Sequence, residues 1–225
     1  MSDELPKGWA KPPLAQIAEI NPRHPKGLDD SMPISFVRMA VVSESKPQFD
    51  SLEVRKLGEV RKGFTHFAEG DVVFAKITPC MENGKGAVAT GLQNGIGSGT
   101  TELHVIRPLG GIDPHYVYRF LAQSSVRRAA KENFTGTAGQ ARVPTSFIEE
   151  LELPLPPLAE QQEIVRRVEG LFALADQLEQ RLAQARKQVD KLTPSLLARA
   201  FAGQLVPQNP ADEPAEKLLA RICKK

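Results

Sequence analysis

The stretch Leu153–Leu171, LPLPPLAEQQEIVRRVEGL, decides how the chain is read. An alternating apolar run ends in Pro154, Pro156 and Pro157, and a strongly periodic helix pattern starts immediately behind them. Pro157 suits a first helical position, where its missing N–H costs nothing. Glu160 and Glu163 follow where the helix dipole favours anions. The spacing therefore predicts a stiff joint between two different kinds of structure.

Downstream, apolar residues fall at Ile164, Val168, Leu171, Ala175, Leu178, Leu182, Ala185, Val189, Leu192 and Leu196. The steps alternate four and three without a slip, which is a heptad repeat. Arg167, Glu169, Asp176, Gln177, Gln180, Arg181, Gln184, Lys187 and Asp190 fill the faces between. A helix over 158–192 would be about 50 Å long at ~1.5 Å per residue. Pro194 is expected to kink or end it, because it lacks an N–H and clashes with the preceding turn. Such a stripe could lie on its own domain, but its narrowness and length favour a coiled-coil partner. No second heptad segment of this length exists in the chain, so the partner helix is expected from another copy. SLLARAFAGQL (195–205) reads as further helix that Gly203 can close. VPQNPADEP is a turn-rich connector, and AEKLLARI (215–222) a short amphipathic helix.

Upstream of the joint the pattern changes. ISFVRMAVV (34–42), DVVFAKI (71–77), GAVAT (86–90) and TELHVI (101–106) read as strands. Asp113 and Pro114 open a helix expected to run to about Lys131. SFIE (146–149) fits a capping box before a short helical turn. The fold class is thus α+β: a mixed domain over 1–153, then a helical region over 154–225 with one long coiled-coil helix and short C-terminal helices.

Composition sets the class. The 225 residues are 41% hydrophobic and 25% charged with a net charge of +2, an ordinary globular balance. No apolar run approaches the ~18 residues of a membrane span, and MSDELPKGWAKPP carries no apolar signal segment. Cys80 and Cys223 give no disulfide framework and suit a reducing cytoplasm. The four histidines and two cysteines show no zinc-site spacing. Between Arg55 and Arg142 there are 12 Lys/Arg against 7 Asp/Glu, a local excess of 12 − 7 = +5. That excess fits an anionic partner and equally an ordinary solvated mixed surface.

Three polar loops stand out: TPCMENGKG (78–86), GLQNGIGSGTT (91–101) and TGTAGQARVPTS (135–146). Asp71, Glu82 and Lys85 do not have the spacing of a metal-dependent nuclease. There is no phosphate-binding lysine loop, no paired dinucleotide glycines and no nucleophile elbow around Ser98. No Asn/Asp-Pro-Pro-aromatic tetrad of an amino-methyltransferase is present either. What the loops carry is Lys76, Thr78, Asn83, Lys85, Gln93, Asn94, Thr100, Gln140 and Arg142. These side chains can hydrogen-bond base edges and phosphates. Asn and Gly are equally good turn formers, so the loops alone leave both readings open.

Taken together, LPKGW (5–9), GDVVFAKITPCMENGKGA, TGTAGQARVPTSFIEELELPLPPLAEQQEIV and LARAFAGQLVPQNPADEPA resemble the specificity (S) subunit of type I restriction–modification enzymes. The resemblance spans nearly the whole chain. It implies a target-recognition domain that reads a short sequence in double-stranded DNA, followed by a conserved helical region. It also implies no catalysis and no cofactor in the chain itself, with S-adenosylmethionine carried by a partner methyltransferase subunit. Modification and restriction subunits are the implied partners, in the cytoplasm and away from membranes. Family members carry the domain-plus-helix pair twice; this chain carries it once. It begins with methionine and ends with the expected tail elements, so it reads as a half-subunit, natural or excised, that pairs with itself. On this reading DNA falls to Lys76, Thr78, Asn83, Lys85, Ser98, Thr100, Thr101, Gly139, Gln140 and Arg142. Dimerisation falls to Ile164, Val168, Leu171, Ala175, Leu178, Leu182, Ala185, Val189 and Leu192. A stand-alone dimeric DNA-binding regulator of the same architecture and an enzyme with a loop-borne active site are the competing readings.

Overall fold

Two four-stranded sheets stacked face to face, with helices packed on the outer face of each, form the first part of the chain in a computed structural model that describes residues 5–137 and 140–223. In chain order the elements are α1 (Leu14–Ile17), β1 (Ala18–Ile20), β2 (Pro33–Val37), β3 (Glu53–Lys56), α2 (Leu57–Val60), β4 (Thr65–Ala68), β5 (Val72–Ala75) and β6 (Gly86–Val88). They continue with β7 (Ile96–Gly99), β8 (Leu103–Pro108), α3 (Pro114–Leu121), α4 (Ser124–Glu132), α5 (Thr145–Glu150), α6 (Leu158–Phe201) and α7 (Ala215–Ile222). One sheet has the order β1-β8-β5-β6, antiparallel throughout. The other has the order β3-β2-β7-β4, with β2 and β7 parallel.

The apolar run of β5 explains the stacking. Val72 and Phe74 point into a core shared with α1, α3, α4 and α5, while Val73 and Ala75 point into a second core between the sheets. A strand buried on both faces needs apolar residues at successive positions, so strict alternation disappears. Val37, Phe67 and Val105 meet Val73 in the inter-sheet core. Ile34 and Phe36, on the opposite face of β2, pack with Leu57 and Val60 of α2.

Several expectations are corrected. The strand expected over 34–42 stops at Val37, and Met39–Val41 forms a 3₁₀ turn. GLQNGIGSGTT is no loop along its length, because Ile96–Gly99 is β7, a central strand. A Cβ on Gly97 would run into the Phe67 ring, so this strand needs glycine where strands ordinarily avoid it. The helix expected to run from 114 to 131 is two helices broken at Gln123, whose backbone is extended. Val117 and Leu121 lie on one apolar stripe that would continue to Ser125 and Arg128. The buried residues are instead Val126 and Ala130, so the break resets the phase. The Asp113 cap forms as expected, its carboxylate accepting from the His115 and Tyr116 amides. The capping box does not form: α5 starts at Thr145 behind Pro144, with no side-chain cap bond. Pro144 already fixes the extended entry into that helix.

Pro194 neither ends nor interrupts α6, which runs 44 residues to Phe201, ~66 Å at 1.5 Å per residue. The proline removes one hydrogen bond, and strong helix formers on both sides carry the helix through it. Gly203, at a left-handed φ of +71°, then closes it, and the Gln204 amide bonds back to Arg199.

The chain divides into two compact units, 1–168 and 169–225. The first turns of α6 belong to the first unit, where Gln161 and Val165 are buried and Ile164 packs against the helix-side core. In the second unit every described residue is exposed, including Leu171 (67%) and Val189 (61%). No helix among the described residues is long and apolar enough to cross a membrane.

Candidate nucleic-acid interface

A concavity of about 590 Å³ opens between the segment after β1, the segment joining α2 to β4, and the loop before β8. Asn21, Arg23, Arg61, Thr65, His66, Lys76 and Thr101 line it. Its local construction begins at Asn21, which ends β1 in a left-handed conformation (φ 51°). The Asn21 amide donates to the Val105 carbonyl at 2.7 Å, and its Oδ1 accepts from the Val105 amide at 2.9 Å. His104 braces this turn from below: Nε2 donates to the Val143 carbonyl at 2.8 Å, which leaves Nδ1 to accept from Asn21 Nδ2 at 3.3 Å. Burial holds the His104 pKa below its usual value, so the ring stays neutral in this role. The turn aims Arg23 into the concavity.

The charges there are unevenly matched. Arg61 is ion-paired with Asp30 and donates to the Leu28 carbonyl at 2.6 Å. Among the described residues neither Arg23 nor Lys76 has a side-chain hydrogen bond or an acidic partner within ion-pair distance. Cations left open in a concave surface attract and hold anions. Beneath them His24 and His66 stack with ring centroids 4.2 Å apart, and His24 Nε2 shares a 3.1 Å hydrogen bond with Ser98 Oγ. Burial, then the His66 ring, Arg107 and Arg61, push the His24 pKa down to about 4. Burial also lowers that of His66. The stack is therefore neutral near pH 7 and supplies shape, while the arginines and Lys76 supply the charge.

The sequence-predicted residues divide between this concavity and its surroundings. Lys76 and Thr101 line it. Thr100 Oγ1 accepts from the Glu102 amide, and Ser98 lies fully buried in β7. Arg142 makes two 2.8 Å bonds to the Glu102 carboxylate, which lower the Glu102 pKa. The Val143 amide bonds to the Lys76 carbonyl and the Thr78 amide to the Ala141 carbonyl, so residues 76–78 and 141–143 form one rim. Gln140 is exposed on it, and Gly139 lies outside the described residues. Thr78 donates to Glu82 and Asn83 to Glu44. Lys85, its side chain only 15% exposed, donates to the Met39 carbonyl. Asn94 takes a left-handed turn conformation and bonds to the Pro33 carbonyl. Asn21, Arg23, Arg61, Thr65 and His66 were not singled out from sequence, since they come from separate segments that only the sheet pairing joins. The Asn21-Pro22 dipeptide, a turn signal, was the one local cue. Among the described residues no cluster of His, Cys, Asp or Glu is arranged to hold a metal ion.

The heptad residues separate as well. Ile164 is partly buried on the domain core and Val168 is half-buried, whereas Leu171, Ala175, Leu178, Leu182, Ala185, Val189 and Leu192 are all exposed.

Residues 6–186 match the type I restriction modification DNA specificity domain. The chain belongs to that family. This specificity domain is 39% identical to the EcoAI specificity subunit of Escherichia coli, across 98% of this chain and 44% of the relative. It is 38% identical to the EcoEI specificity subunit of the same species, across 97% of this chain and 44% of that one. The chain thus spans less than half the length of the curated relatives it matches. In three dimensions it resembles the HsdS subunit from Thermoanaerobacter tengcongensis, with a TM-score of 0.71 over 94% of this chain and 53% of that one at 24% identity. That likeness establishes the fold alone.

Proposed function

We propose that this chain is a non-catalytic, sequence-specific DNA-recognition subunit of a type I restriction–modification system, and that it works as a homodimer on a bipartite target. Residues 1–153 serve as the target-recognition domain and 154–225 as the spacer and dimerisation region. The observation that carries the DNA reading is the concavity in which Arg23 and Lys76 stand open beside Arg61. Phosphate contacts from such cations position a protein on the duplex, and neighbouring polar groups read base edges. Thr65, Thr101 and Gln140 are the polar groups we assign to that reading, while the Asn21 side chain is held by Val105 and His104 in the turn beneath. Thr78, Asn83, Lys85, Ser98, Thr100 and Arg142 act behind them, holding the rim in shape.

Dimerisation rests on the exposed seam from Leu171 to Leu192. A solvated stripe of that length gains its stability by packing against a second helix. A two-fold dimer presents identical reading surfaces in opposite orientations, so the target is an interrupted palindrome. The chain itself needs no cofactor. S-adenosylmethionine belongs to a modification subunit that docks on the assembled dimer in the cytoplasm, as does the restriction subunit.

Selection of the full chain on a pool of randomised duplexes tests this reading. The expected product is two inverted copies of one half-site separated by a gap of fixed length and free sequence. Enrichment of a single contiguous site, or of nothing, would overturn it.

A further inference from the structure

Gln161 is the only buried polar residue among the described residues of α6, at 1% exposure. Its Oε1 accepts from the Asp113 amide at 2.9 Å. Its Nε2 donates to the Pro156 carbonyl at 2.9 Å and, at 3.4 Å, to that of Gly111. Those backbone groups belong to the turn that begins α3 and to the proline joint. One side chain in the first turn of α6 therefore ties the helix to both. Around it, Tyr116 Oη donates to the Pro154 carbonyl at 2.6 Å and Trp9 Nε1 to Glu160 at 3.2 Å. Val165, one turn on, fills the apolar core.

These contacts differ in what they fix. Apolar packing is non-directional and lets a helix roll or rock with small loss. Hydrogen bonds to backbone groups on two separate segments are directional, and a tilt that breaks them leaves buried donors and acceptors unpaired. We propose that Gln161 is a positioning residue that fixes the angle at which α6 leaves the recognition domain, and so sets how sharply one spacing between half-sites is preferred. This rests on the bipartite reading above. The leverage is large: a tilt of about 5° at the root of a ~66 Å helix displaces its far end by about 6 Å. That is close to two base pairs at ~3.4 Å each.

The test uses the full chain and duplexes carrying the selected half-sites with the gap at its preferred length, one base pair shorter and one longer. Wild type should prefer one gap by roughly tenfold or more. Gln161→Ala should bind a single half-site within about twofold of wild type yet discriminate between gaps by less than threefold. Gln161→Glu, which keeps the acceptor for Asp113 and loses the two donations, should fall between and serves if the alanine variant does not fold. Val165→Ala weakens the same root without touching the hydrogen bonds and should keep the wild-type preference at a lower melting temperature. Amide exchange at Asp113 should accelerate in Gln161→Ala and not in Val165→Ala. Retained gap preference in both Gln161 variants, equal flattening by Val165→Ala, or unchanged exchange at Asp113 would each overturn the inference. A wild type that binds half-sites with no preferred gap would instead overturn the bipartite reading, and this inference with it.

Discussion

Replacing Arg23 and Lys76 together by alanine should change the salt dependence of DNA binding more than it changes anything else. Among the described residues neither side chain has a carboxylate within ion-pair distance, and Glu102, whose pKa Lys76 also helps to lower, keeps its pair with Arg142. Removing them leaves no carboxylate uncompensated, so stability should stay within about 0.5 kcal/mol of wild type. If each neutralises one phosphate, each contributes about 0.9 to the slope of log affinity against log salt. The double variant should therefore be flatter by about 1.8. Between ~50 and ~200 mM salt, a fourfold change, wild type should lose about 12-fold more affinity than the variant, since 4 to the power 1.8 is about 12. Fluorescence-anisotropy titrations at four salt concentrations read the slope directly. The control is Arg166→Ala with Arg167→Ala, which removes the same two charges from α6, where both arginines pair with Glu163. An unchanged slope in the concavity variant, or an equal flattening in the control, would refute the placement of the interface.

Other consequences follow from the same geometry. Leu178→Asp with Leu182→Asp would place charges in the seam of a helix pair, costing several kcal/mol once the partner desolvates them; sedimentation should show monomers, and a persisting dimer would refute the seam. Gly97→Ala pushes a methyl group into the Phe67 ring, an overpacking that should cost about 1–3 kcal/mol in denaturant unfolding; an unchanged midpoint would mean that β7 and β4 pack differently. His24 carries a folded pKa near 4 against an ordinary 6.5, so on acidification the unfolded chain takes up a proton before the folded one does. The stability held by the neutral ring is complete above pH 6.5 and lost as pH falls toward 4. His24→Asn should show a shallower fall in melting temperature across that window, and an identical fall would remove His24 as its cause.

The parts legible in the sequence are those in which one short segment carries its own periodicity. The long helix α6 announced itself because its apolar spacing repeats locally, and β5, β6 and β8 because burial on two faces forces β-branched and apolar runs. Asp113 before Pro114 marked the start of α3 for an equally local reason. β7 was hidden because the neighbour that makes its glycines necessary, Phe67, lies on another strand. Helix α6 outran Pro194 because the residues beyond the proline are as helix-favouring as those before it. The concavity was the hardest to see. Arg23, Arg61 and Lys76 are far apart in the chain and meet through the pairing of β1 and β5 with β8 and of β4 with β7. Ser98, a loop hydroxyl by its glycine neighbours, turned out to be a buried partner of His24.

If α6 sets the distance between two half-sites, shortening it must shorten the gap in the target. Removing Leu178–Gln184 takes out seven residues, keeps the heptad seam in register and shortens the helix by about 10 Å. The target of the shortened chain is then read by methylation mapping of its complex with the modification subunit. The expected result is an unchanged half-site sequence with the gap reduced by about 3 base pairs, at ~3.4 Å each. A gap indifferent to the deletion, or an asymmetric target, would contradict the claim.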